Sequence, residues 1–385
     1  MDVKRGQAFK RWSELDREIK VLLTGTLMTG ASIYSMMQMS PVQAVLLQAS
    51  YTDTGLLTGF ARNAVYVVLS PMTALLLTRL NWNTPLPVSA ALMALSHFMM
   101  WLANDLLMVL ASQLVMGVAM FFFFPCGESI VANSYRGTQR LKTLSVFLSA
   151  ISGGFLTGSI LAGAIAYLAG LKSMFASMIF LSLAAFLAYT RLKLVNNMPV
   201  ESKPLKIKSL AVPILLSTPY FFTLSAAYSV LPGFFVLNGF TELDVGVLFF
   251  IHMLCRVSTY SVISRIKTVF VKPLLAASSI FLGLTFLLAS IQTANFTIFL
   301  LILGLLGVAV STSYITTLQI ISTHGGGHSV FLIGMLETLI GLTFITGPPI
   351  SGFLIDVYGA QAMMLMFTAV VFLAVALHLL QRYQL

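Results

Sequence analysis

Two opposite charges set deep in apolar runs are the residues of this sequence best placed to do chemistry. Arg256 stands in LFFIHMLCRVSTYSVI, and Glu337 in SVFLIGMLETLIGLTFITGPPISGFLIDVYG. Such runs are long enough to cross a bilayer, which takes about 20 apolar residues. A charge inside a bilayer costs a few kcal/mol or more, so each needs a reason to be there. At about 1.5 Å per helical residue, Arg256 falls roughly 16 Å below the outer face and Glu337 roughly 12 Å above the inner one. Both therefore lie near the midplane of an apolar core about 30 Å thick. Arg256 suits an anionic substrate group, and Glu337 suits a proton. An anion seated on Arg256 would weaken its pull on Glu337 and favour the protonated carboxyl, which links the two ligands. The alternative is a buried Arg–Glu pair that only locks helices together.

Other side chains could complete such a site. His252 is one helical turn from Arg256 and shares its face, so it either tunes the site or packs. Arg62 opens a polar stripe with Tyr66, Ser70 and Thr73. It lies roughly 9 Å from the outer face and reads as an anion funnel, an outer gate or a snorkelling side chain. Thr218, Ser225 and Ser229, and Thr312, Thr316 and Gln319, mark further polar faces. Glu128, near Arg79 and Arg136, reads as an inner ion-pair cluster that gates rather than binds. His324 and His328 flank the glycine triplet 325–327; a flexible loop with no further ligands nearby predicts no metal. No phosphate-cradling glycine loop and no nucleophile–base set occurs, so neither ATP-driven pumping, catalysis nor a cofactor is expected.

The elements that would position these residues repeat. Gly158, Gly163 and Gly170 match Gly347, Gly352 and Gly359 at a constant separation of 189 residues. Thr157 matches Thr346, and Met174 matches Met363, at the same separation. Gly117-Val118-Ala119 reads against Gly307-Val308-Ala309 at 190, and Tyr34-Ser35 against Tyr228-Ser229 at 194. Matches in one order with a slowly drifting offset argue for two copies of one unit, a plan common in secondary transporters. Tyr34 and Tyr228 are accordingly expected beside Arg256, His252 and Arg62 as substrate contacts. The small residues Gly158, Gly163, Gly347, Pro348 and Gly352 are expected to let helices pack closely and slide.

Composition fixes the class. Hydrophobic residues make up 58% of the 385 and charged ones 9%, far below the roughly 25% usual in soluble domains. The chain is a polytopic membrane protein by this measure. Cys126 and Cys255 lie in apolar runs and read as packing residues. The basic start lacks a short apolar run with a cleavage site, so no removable signal is expected. The net charge of +10 is not a nucleic-acid signature, because 19 of the 22 basic residues fall in the tails and alternate loops that would face the cytoplasm. This positive-inside bias puts both termini in the cytoplasm.

Hydropathy windows give twelve spans. Phe9, Trp12, Leu15 and Ile19 precede them as an interfacial helix or an ordinary basic tail. The division is a tail at 1–20, a six-helix bundle at 21–192, a polar linker at 193–209 and a second six-helix bundle at 210–385. An all-α protein of twelve transmembrane helices in two pseudo-symmetric bundles resembles the major facilitator superfamily. Local motifs agree. Arg79 stands in LTRLNWN, with Thr78 and Asn81 where that family has Asp and Gly, and ISRIKT repeats it with Arg265. Glu128 precedes Arg136-Gly137 at the family's spacing, and Gln113 stands where many proton-coupled members carry Arg. GPPISGFLIDVYG, and Pro71 with Arg79, are similar to the monocarboxylate branch, whose Asp-x-x-x-Arg corresponds to His252 and Arg256. That branch's first-span lysine has no counterpart.

The resemblance implies alternating access, with Arg79, Glu128, Arg136 and Arg265 as gate residues. The expected function is secondary active transport of a small organic anion with protons, by a monomer in the plasma membrane. Export of amphipathic drugs or metabolites is the runner-up. A non-transporting sensor with this fold is the reading from another class, and it lacks a docking domain.

Overall fold

The computed structural model describes residues 17–134, 137–193, 211–263, 271–292, 295–324 and 329–380. The expectations for Arg136, Arg265, His328, the His324 side chain and the tail and linker residues beyond these bounds lie outside the described residues. The described chain is all helix and short turns: α1 (Arg17–Leu46), α2 (Tyr51–Thr54), α3 (Arg62–Leu69), α4 (Thr73–Arg79), α5 (Pro85–Leu102), α6 (Leu106–Phe121), α7 (Gly127–Ser134), α8 (Gly137–Ala169), α9 (Leu171–Tyr189), α10 (Ala211–Ser229), α11 (Leu231–Leu237), α12 (Glu242–Ile263), α13 (Val271–Ala289), α14 (Phe296–His324), α15 (Ser329–Tyr358) and α16 (Ala360–Leu380). Two stretches of π-helix, Gly55–Ala61 and Phe122–Cys126, join α2 to α3 and α6 to α7. Eight of the described helices are long and apolar enough to cross a membrane, and the bent pair Ser217–Ser229 and Leu231–Leu237 would make a ninth.

The elements that fall short of that measure do so for physical reasons. Helix α1 carries Thr26, Thr29, Ser32, Ser35, Gln38, Ser40 and Gln43, all buried. These dilute its hydropathy, and other helices rather than lipid surround them. Its polar end explains why an apolar window stops near Met39 while the helix runs on to Leu46. Gln43 there donates to the Ala103 carbonyl at 3.4 Å. The 51–79 stretch is broken by the π turn and by the 3-10 turn Ser70–Met72, where Pro71 removes a backbone donor.

Helices before residue 193 pack chiefly on one another, α1 on α8 and α9, and α5 on α6 and α9. Those after residue 211 do the same, α12 on α14, α10 on α15, and α13 on α14 and α16. The main seams between these sets are α8 against α12, and α15 against α2, the Gly55–Ala61 turn and α3, with α1 against α11 joining them as well. One sequence match coincides with a shared backbone conformation. Gly170 and Gly359, matched in sequence, both have positive φ, 85° and 81°, and each turns one long helix into the next. A left-handed residue at a helix end is most easily supplied by glycine.

Candidate functional site

Arg256 is half-buried on α12. Its Nε donates to the Tyr260 hydroxyl, one turn on, at 3.1 Å. The hydroxyls of Tyr228 and Tyr34 lie within electrostatic reach of the guanidinium. The two tyrosines come from α10 and α1 and meet edge to face, ring centres 5.6 Å apart. Phe155 stacks on Tyr34 at 5.0 Å, and Phe249 and Phe344 close around Tyr228 at 5.7 and 6.2 Å. Arg256 thus has three tyrosine hydroxyls within reach of its charge, two of them, Tyr228 and Tyr34, set in a cluster of aromatic rings.

His252 orients that cluster. Its Nδ1 lies 3.0 Å from the Leu303 carbonyl and its Nε2 2.9 Å from the Tyr228 hydroxyl. A carbonyl only accepts, so Nδ1 carries the proton, and Nε2 of the neutral ring accepts from Tyr228. The Tyr228 oxygen then keeps its lone pairs for the Arg256 side. His252 is fully buried, so its hydrogen bonds position Tyr228. Glycine makes this possible: a Cβ at Gly307 would stand 2.5 Å from the His252 carbonyl oxygen, so α14 can sit on the backbone of α12.

Glu337 is half-buried on α15 and accepts from the Tyr314 hydroxyl at 2.9 Å. No ion pair joins it to Arg256 among the described residues, although the two charges are near enough to influence one another. The interlocked Arg–Glu pair is therefore not what is found. Arg79 is exposed and makes no ion pair with Glu128, while Glu337, Tyr66 and Tyr314 lie within reach of the Glu128 charge. Glu128 thus belongs to the neighbourhood of Glu337. Tyr260 and Tyr314 were not singled out from sequence. Tyr260, four residues after Arg256, was readable as a same-face neighbour, whereas nothing local marks Tyr314 as a carboxylate partner.

Arg62 is neither a surface funnel nor a snorkelling side chain, being 0% exposed. Its Nη1 donates to Gln113 Oε1 at 3.2 Å. The rest of its stripe turns inward on its own helix: Ser70 donates to the Tyr66 carbonyl and Thr73 to the Ser70 carbonyl. Ser225 donates across to the Thr343 carbonyl at 2.9 Å.

The small residues sit where helices pack closely, within each set and across the seams. Gly158 lies against Ala31, Gly163 against Gly246, and Gly347 against Phe222 and Ser225. Pro348 fits over Gly55 and Gly59, and Gly352 meets the Tyr51 carbonyl. At that end the Asp356 carboxylate accepts from the Tyr51 and Thr52 backbone N–H groups, at 3.1 and 2.7 Å, and from the Thr52 hydroxyl at 2.6 Å. A carboxylate on the first N–H groups of a helix is favoured both by hydrogen bonding and by the helix dipole.

The family model of the Major Facilitator Superfamily matches residues 21–241, more than half of the chain. The chain belongs to this superfamily. Major facilitator proteins carry small molecules across membranes, so the chain is a multi-pass membrane transporter and not an enzyme. Solved structures share its fold. The human organic anion transporter MFSD10 (TETRAN) is 16% identical, with 94% of this chain and 99% of that one covered at a TM-score of 0.67. A bacterial homolog of the human lysosomal transporter Spinster matches in its inward-facing, occupied form. That match is at 14% identity and TM-score 0.74, over 94% of this chain and 96% of that one. Its inward-facing, unoccupied form matches at 13% and 0.70, over 95% and 97%. No curated protein sequence matches the chain. Among the described residues no group of His, Cys, Asp and Glu is placed to hold a metal ion.

Proposed function

We propose that this major facilitator protein is a secondary active transporter that moves a small organic anion together with protons. In this reading twelve spans form two six-helix bundles, 21–192 and 210–385, joined by the linker 193–209. The protein works as a monomer in the plasma membrane with both termini in the cytoplasm. The observation that carries the proposal is the separation of Arg256 from Glu337. Opposite charges close enough to feel each other, yet each hydrogen-bonded to its own tyrosine, leave the guanidinium open to a second anion. Arg256 then binds the substrate, aided by Tyr228, Tyr34 and the positioning residue His252. Glu337 takes the proton more readily once a substrate anion has neutralised Arg256. The human structural neighbour's description as an organic anion transporter agrees with this class of substrate.

Rocking of the two bundles about this midplane site would expose it to alternate sides. The seams α8–α12 and α15–α2 supply the close contacts for that motion, and Gly163, Pro348 and Gly352 allow the helices to meet. With the termini inside, the Asp356–Thr52 contact closes the outer end. Arg79, Glu128, Arg136 and Arg265 are assigned to the inner gate, Glu128 also sharing the field of Glu337.

The test is uptake into proteoliposomes of radiolabelled carboxylates, neutral solutes and cationic dyes, with and without a pH gradient. Acceleration of carboxylates alone by an inward proton gradient supports the reading. The aromatic cluster, Tyr34 with Phe155, Phe249 and Phe344 nearby, favours a second reading, proton-driven export of amphipathic compounds. Movement of cationic dyes alone would select it.

A further inference from the structure

Arg62 and Arg256 are 194 residues apart, the same separation that relates Tyr34-Ser35 to Tyr228-Ser229. They are therefore equivalent positions of the two repeats, and the tyrosines equivalent to one another touch at the boundary between the halves. The backbone around each arginine is held by the same device. A Cβ at Gly117 would collide with the Arg62 carbonyl, and one at Gly307 with the His252 carbonyl and, at 3.3 Å, the Arg256 nitrogen. Gly117 and Gly307 are themselves repeat partners. The turn before Arg62 also reaches the tyrosine pair, because the Thr58 hydroxyl donates to the Ser229 carbonyl at 3.0 Å, next to Tyr228.

The two guanidiniums differ in how well they are satisfied. Arg62 is wholly buried, and only its Nη1 has a partner; Nε and Nη2 have none. Gln113 Nε2, beside it, is also without a partner, as are both side-chain polar atoms of Gln38, one turn from Tyr34 on α1. No carboxylate pairs with Arg62 among the described residues. A buried cation with idle donors is costly unless an anion joins it. Four of the idle atoms here, Arg62 Nε and Nη2, Gln113 Nε2 and Gln38 Nε2, are N–H donors, the Tyr34 and Ser229 hydroxyls can also donate, and only Gln38 Oε1 is purely an acceptor, which is the chemistry of an anion site.

We propose that Arg62 is the second cationic contact for a substrate with two anionic groups, one held by Arg256 and the other by Arg62. This rests on the anion reading above and narrows it to dianions such as short dicarboxylates. The substrate bridges the two halves, so its binding draws them together around the tyrosine pair.

The experiment is competition binding and counterflow in proteoliposomes with linear dicarboxylates of three to six carbons and monocarboxylates of the same lengths. The wild type, Arg62→Gln, Arg62→Lys and Gln113→Glu are compared. The wild type should prefer the best dicarboxylate by about tenfold or more, the worth of one charge-assisted hydrogen-bonded contact. Arg62→Gln should weaken dicarboxylates about tenfold more than monocarboxylates, and Arg62→Lys should keep part of the preference. Gln113→Glu keeps the arginine and neutralises it from within, so it should also erase the preference; it carries the test if Arg62→Gln does not fold. Equal affinity for the two classes in the wild type, or a preference that survives both Arg62→Gln and Gln113→Glu, overturns the dianion proposal and leaves anion transport standing. Failure of both classes to bind or move would instead remove the anion reading, and this proposal with it.

Discussion

The neighbourhood of Arg256 and the end of the molecule at Asp356 both join the two sets of helices, and they do so in opposite ways. Around Arg256 the contact is made by aromatic rings and hydroxyls, with a guanidinium hydrogen-bonded to Tyr260 and near the Tyr228 and Tyr34 hydroxyls. Around Asp356 the contact is backbone on backbone, made possible by Gly352 and Gly55, and the carboxylate's hydrogen bonds are filled by Tyr51 and Thr52. In the proposed reading the first region receives the substrate and the second closes on itself. The lesson is that charge alone does not mark a binding site. What marks it is charge whose partners are incomplete and held in place by a rigid surround.

Variants at the two regions should therefore fail differently. The largest effect is expected from Arg256→Leu: loss of the charge-assisted contacts should lower anion affinity by roughly tenfold to hundredfold or more, measured by competition binding on protein that still elutes as a folded species. A variant that binds anions as the wild type does would break the comparison. Gly352→Val comes next. Its side chain would drive into the Tyr51 carbonyl, and overpacking of this kind costs about 1–3 kcal/mol. Turnover should fall several-fold while equilibrium binding survives, seen as slower counterflow with unchanged affinity. Tyr228→Phe should be milder, leaving His252 Nε2 without its donor and Arg256 without one oxygen; affinity should drop about tenfold for a loss of about 1–2 kcal/mol. Asp356→Asn should be smallest, because the contact is exposed: the amide keeps one acceptor oxygen and loses the charge and at least one accepted hydrogen bond, together worth about 0.5–1 kcal/mol. It should show as greater labelling of a cysteine placed near residue 52 from the outer side.

Much of the architecture was legible because its causes are periodic and local. Apolar windows fell on described helices, and the matched Gly170 and Gly359 share a positive φ. Helix ends were less legible. The sequence from Leu210 to Leu237 reads as one run, yet the chain bends by 43° between Ser229 and Leu231, where Pro232 enters the next helix. The site was half legible. Arg256 and Glu337 announce themselves as charges in grease, but Tyr314 and Gln113 look ordinary until a partner from another helix reaches them. His252 shows the limit clearly. Its spacing from Arg256 is local, whereas its bonds to Leu303 and Tyr228 depend on helices far away in the chain.

The link between the carboxylate of α15 and the arginine of α12 is tested most directly by Glu337→Gln in proteoliposomes. Uptake of a labelled carboxylate is followed after an imposed pH step, alongside exchange at equal pH on both sides. Uptake driven by the proton gradient should vanish while exchange continues. A variant whose uptake still follows the pH step to the full extent would contradict the account.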